Sequence, residues 1–181
     1  MSVLTKADID HALEAYDGTQ VRTLRAVVSI VTPPAEVMAH IISRCREQDP
    51  RIQSGASWLI KTFLEAGTRL TVPQIHALVA TYAATECWDA CLHHCQSLRW
   101  IDVPEDALPT VGDFLGRCLS GPEPSVRAWA CDALFQVTRS DPGLLANTAA
   151  ILQDAEHDPA PSVRARAKAL LKACRAGSPR P

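Results

Sequence analysis

Cys87, Cys91, His93, His94 and Cys95 form the densest run of side chains that could do chemistry. Zinc accepts thiolate and imidazole, and helical residues at i, i+4 and i+7 can meet on one face, a spacing that Cys87, Cys91 and His94 share. Two features oppose a metal. Structural zinc sites usually draw on two separated ligand pairs, and no CxxC occurs anywhere in the chain. Positions 87, 91, 94 and 95 also fall on the apolar stripe of an expected helix, where free cysteine serves as a small hydrophobe. The expectation is no metal and no cofactor, with these thiols in the core. His94 then needs a hydrogen-bond partner.

A second chemically pointed stretch is basic. Arg164, Arg166, Lys168, Lys172 and Arg175 occur with no acidic residue between Pro159 and Arg175. Such a helix makes a solvated end cap, with cations favoured near its C-terminus. It is also where an acidic peptide or a nucleic-acid backbone would bind. Catalytic motifs are absent: the chain has no G-x-S-x-G, no G-x-x-x-x-G-K, no G-x-G-x-x-G and no H-E-x-x-H. A non-catalytic protein is expected.

Composition narrows the partners. Lys+Arg number 18 against 20 Asp+Glu, and the formal net charge of −2 opposes a global grip on nucleic acid. A chain of 181 residues suits one domain with its own core. No apolar run reaches the roughly 18 residues of a membrane span, and no secretory stretch opens the sequence, so no membrane contact is expected. Seven cysteines, an odd number spread through apolar segments, read as reduced thiols of a cytoplasmic protein.

A repeat sets the elements that carry these residues. Pro124-Ser125-Val126-Arg127-Ala128-Trp129-Ala130 matches Pro161-Ser162-Val163-Arg164-Ala165-Arg166-Ala167, 37 residues later. Pro50-Arg51-Ile52-Gln53-Ser54-Gly55-Ala56 stands twice that distance upstream. Each copy opens a helix with one apolar stripe: Ile52, Ala56, Leu59, Ile60 and Phe63; Val126, Ala130, Ala133, Leu134 and Val137; Val163, Ala167, Leu170, Leu171 and Cys174. Cys87, Cys91, His94, Cys95 and Leu98 supply the unit between, and Leu24, Val28 and Val31 a weaker first one. An amphipathic segment precedes each, near 5–16, 34–47, 72–84, 105–119 and 142–156, with Thr32, Thr71, Thr85 and Ser140 or Asp141 as N-caps. The reading is one all-α domain over 1–176, of five helical hairpins at about 4–31, 33–66, 70–100, 103–138 and 141–175, with 177–181 as a tail.

Asp158-Pro159-Ala160-Pro161-Ser162-Val163-Arg164, followed by Ala167 and Leu170, resembles the opening of the second helix of a HEAT repeat. The unit at 122–137 keeps Val126-Arg127 but has Gly121 where Asp158 stands, and the unit at 50–63 has Gln53 in place of the arginine. The resemblance implies an α-solenoid with first helices on the convex side and second helices on the concave side. Some HEAT-like enzymes hold iron with His-Glu dipeptides, whereas this chain has only the reverse, Glu156-His157.

On the second helices, positions turned away from the stripe include Gln53 and Ser57 and bring Trp58, Trp88, Leu92, His93, Arg127, Asp132, Phe135, Arg164 and Lys168 to the concave face. Trp100 and Trp129 lie nearer the core flanks. Exposed aromatics are favoured anchors, so the expected function is a scaffold that binds a protein or peptide near Trp58, Trp88 and Phe135. The alternative is a DNA-binding or alkylated-base-excising protein using Arg127, Arg164 and Lys168. Self-association through an end repeat is a third expectation.

Overall fold

Short polar side chains and prolines decide where the helices begin. In the computed structural model, which describes residues 3–28 and 33–176, Thr5 Oγ1 accepts a bond from the Asp8 N–H and the Thr5 N–H donates to the Asp8 carboxylate in return, opening α1 (Lys6–Glu14). Thr71 and Gln74 do the same for α5 (Val72–Val79). Asp49 caps α4 (Pro50–Glu65), and Asp141 caps α9 (Pro142–Ala155) through the amides of Gly143 and Leu144. The other helices are α2 (Arg22–Val28), α3 (Ala35–Arg44), α6 (Trp88–Ser97), α7 (Leu108–Ser120), α8 (Pro124–Thr138) and α10 (Pro161–Ala176). Short 3-10 turns span 82–84, 98–100 and 105–107, and no strand occurs among the described residues. None of the described helices is long and apolar enough to cross a membrane.

Two caps differ from expectation. Thr85 does not open α6; its hydroxyl donates to the Thr81 carbonyl, and Cys87 stands at the cap without a side-chain bond. Thr32 and Val31 lie outside the described residues, as does the 177–181 tail. At its other end α4 closes through Gly67 (φ 98°), where the Thr68 and Gly67 amides donate to the carbonyls of Phe63 and Leu64.

The fold is all-α. The second helices α2, α4, α6, α8 and α10 pack in chain order, each against the next, while α1 packs on α3 and α3 on α5. Between these sets, α1 meets α2, α3 meets α4, α7 meets α8 and α9 meets α10. The repeat stripe is the core: Ile52, Ala56, Leu59, Ile60, Phe63, Val126, Ala130, Ala133, Val163, Ala167, Leu170 and Leu171 are all buried. Leu134, Val137 and Cys174 are partly covered. Gly55 lets α4 come close to α1; a Cβ there would sit 2.8 Å from Leu13 Cδ2 and 3.0 Å from Tyr16 Cδ1.

The row of second helices also buries residues that the sequence places on its free face. Each inner helix has a second helix on either side, and α4 and α8 also have a first helix behind them. Gln53 and Ser57 are buried on α4. Phe135 is only 7% exposed, because α8 turns Cys131 and Phe135 into a separate C-terminal core with Leu152, Val163, Leu170 and Leu171. Its Val126, Ala130 and Ala133 face the main core instead.

Candidate functional site

The loops that enter the second helices are held by one recurring side-chain clamp. Arg127 Nη1 donates to the carbonyls of Gly121 and Pro122, at 2.9 and 2.8 Å. Arg164 Nη1, one repeat later, donates to those of Asp158 and Pro159, both at 2.8 Å. Gln53 replaces the arginine two repeats earlier and reaches the equivalent Glu47 carbonyl at 3.5 Å. The clamp also links neighbours. Gln53 donates to the Ala84 carbonyl and accepts from the Cys87 amide, while Arg127 forms a paired contact with Asp158 at 2.8 and 3.0 Å. That guanidinium holds the Asp158 carboxyl below the usual range.

At the remaining position in this series stands Trp88. Its indole cannot reach back to the Tyr82 carbonyl as a guanidinium would, and that carbonyl takes Arg117 Nη2 at 2.7 Å instead. Gly121, where the next repeat carries Asp158, offers no carboxylate across the junction. A groove of about 500 Å³ opens there, lined by Thr85, Glu86, Trp88, Cys91, Arg117 and Glu123 among others. A second groove of about 440 Å³ shares Glu86, Trp88, Pro122 and Glu123 with the first and runs against Arg51, Ser54 and Asp89. Trp88 is 49% exposed.

The expected concave set is therefore split. Trp58 and Leu92 are partly buried against the main core, and Phe135 is inside the C-terminal one. His93 shares a 3.0 Å hydrogen bond with Ser57 Oγ on α4, and burial, with the Lys61 charge behind it, lowers its pKa to about 4. Asp132 is buried and paired with Arg166 at 3.0 Å, which also lies over the Trp129 ring at 5.0 Å. Arg127 and Arg164 are spent on the loops; Lys168 is exposed on α10. Trp129 is half-buried as expected, whereas Trp100 is 38% exposed. Of the expected concave set, Trp88 is the aromatic that is both exposed and beside a groove. The sequence names it for the concave face of the second helices; it is the first residue of α6, at the loop edge.

The Cys/His run takes another form. Cys87 is at the helix cap, and His94 and Cys95 are buried. Burial, with the neighbouring His93 charge, lowers the His94 pKa to about 3. Its ring tilts against Tyr82 at 4.8 Å, and neither its nitrogens nor the Tyr82 hydroxyl find a hydrogen-bond partner among the described residues. Contact with the Cys118 sulfur and burial push the Cys91 thiol up, and burial does the same to Cys45. Metal binding and nucleophilic chemistry use the thiolate. Among the described residues, no three His, Cys, Asp or Glu side chains come together as a metal-ligand set.

No protein-family profile and no curated protein matches the sequence. A similar solved structure is the crystal structure of an engineered protein, a target of the Northeast Structural Genomics Consortium. It aligns at a TM-score of 0.56 and 15% identity over 94% of this chain and 80% of that one. The likeness is one of fold.

Proposed function

We propose that this chain is a HEAT-like α-solenoid acting as a non-catalytic scaffold, and that it binds a protein segment at the loop edge around Trp88. The observation that carries the reading is the half-exposed indole shared by two grooves, at the junction where the inter-repeat clamp is missing. An amphipathic aromatic ring beside a desolvated pocket is a favoured hot spot, and the rigid helix rows supply a preorganised frame. Recurrence of the Arg127 clamp at Arg164, with Gln53 in the same role, supports the HEAT-like assignment. A DNA-binding role would need Arg127 and Arg164 free for phosphate, yet both are engaged by loop carbonyls. The seven free thiols fit a reducing, cytoplasmic setting.

Selection from a random peptide display library tests this reading, using the parent chain and Trp88→Ala side by side. The expected result is a peptide family enriched on the parent and absent from the variant, whose binding slows hydrogen exchange at 84–88 and 121–123. Enrichment that is equal on both proteins, or no enrichment on either, would overturn it.

A further inference from the structure

Around Trp88 the charge without an ion-pair or hydrogen-bond partner is negative. Glu86, Asp89 and Glu123 line the two grooves, and among the described residues none of the three carboxylates forms an ion pair or accepts a side-chain cap bond. Three guanidiniums lie nearby and are already engaged: Arg127, whose charge reaches Glu123, is held by Asp158 and by the Gly121 and Pro122 carbonyls. Arg51 pairs with Asp49 at 2.8 Å, and Arg117 donates to the Tyr82 carbonyl while lying over the Phe114 ring at 5.9 Å. Burial, and then the like charge of Glu123, push the Asp89 carboxyl up. Two carboxylates therefore repel each other beside an exposed indole, and a cation between them would relieve that repulsion.

Tryptophan is the best aromatic partner for ammonium and guanidinium groups. Resting on the docking reading above, we propose that the occupant of the Trp88 grooves is a positively charged protein segment, which lays a Lys or Arg side chain on the indole between Glu86, Asp89 and Glu123. The apolar groove walls, including Phe114, Cys91 and Val126, then take the adjoining aliphatic part of the segment. A rival account keeps these acids as partners for the positive N-termini of α6 and α8. On that account they affect the stability of the free protein and have no influence on what binds.

Fluorescence anisotropy separates the possibilities. Fluorescein-labelled peptides of about a dozen residues share one Leu/Ala framework and carry Lys/Arg, Glu or Asn at the same positions. Each is titrated into the parent, Trp88→Ala, and the double variant Asp89→Asn, Glu123→Gln. The expected result is tightest binding of the basic peptide, weakened about tenfold by Trp88→Ala and several-fold by the double variant, with affinity falling as salt rises. Acidic or neutral peptides that bind as well, and are lost in Trp88→Ala, would overturn the charge selection while leaving docking at Trp88 standing. An unchanged affinity of the basic peptide in the double variant would favour the N-terminal account. Should Trp88→Ala weaken no peptide, both the selection and the docking reading fall. Circular dichroism of each variant establishes that it remains folded.

Discussion

Acid should destabilise this protein through His94 more than through any surface histidine. The ring is fully buried between Tyr82 and Phe114, and its pKa falls from 6.5 to about 3. A depressed histidine is neutral when folded and charged when unfolded, so its stability is present above 6.5 and drains away as the pH drops toward 3. At about pH 4.5 the unfolded chain holds this proton almost fully and the folded chain scarcely at all, a loss of about 2–3 kcal/mol relative to neutral pH. In a chain of this size that lowers Tm by roughly 5–10 °C. His93, pushed to about 4, adds in the same direction, although the two rings are neighbours and their effects overlap. His76 runs the other way. Its bond to Asp106 raises its pKa, so the support it gives is present in acid and disappears as the pH rises through its folded value. The assay is urea unfolding of the parent and His94→Leu at neutral pH and at about pH 4.5. Leucine fills a similar volume and cannot titrate, so the variant should lose about 2–3 kcal/mol less on acidification. Equal losses in the two proteins would refute the buried, neutral assignment of His94.

Burial predicts opposite outcomes for two aromatics of the expected face. Phe135→Ala should cost about 3 kcal/mol in chemical denaturation, whereas Trp88→Ala should change stability by less than about 0.5 kcal/mol. Arg127→Ala strands the Asp158 carboxylate, which is only 12% exposed, and leaves two loop carbonyls without their donor. Thermal melts should show a loss of about 2–3 kcal/mol, and adding Asp158→Asn should recover part of it. Gly67→Ala forces a side chain into the left-handed region at the end of α4 and should cost about 1 kcal/mol by urea unfolding, with no change in peptide binding.

The helix rows were legible because burial repeats. A stripe with the same apolar positions in every unit is a physical demand that survives changes of residue, and Ile52, Val126 and Val163 occupy it as read. The free face was harder to read. Helical periodicity tells which side of a helix faces its own hairpin, but it carries no information on flanking helices, and these cover Ser57, Asp132 and Phe135. The arginines misled for a related reason. Arg127 and Arg164 look like exposed charge by position, yet each lies six residues after a loop carbonyl that it can reach and bind. The signal that could have found the site was in the repeat alignment: Trp88 fills the place taken by Arg127, Arg164 and Gln53, and a position that breaks its own series marks a junction built differently.

The most direct test of the loop-edge site is the indole N–H spectrum of protein labelled with 15N at its four tryptophans. Trp88 is assigned from Trp88→Phe, and a peptide selected on the parent chain is titrated in. The account predicts that the Trp88 signal moves while those of Trp58, Trp100 and Trp129 stay in place. Movement of Trp58 or Trp129 with Trp88 unmoved would contradict it, and would put the partner on the open face of the second helices.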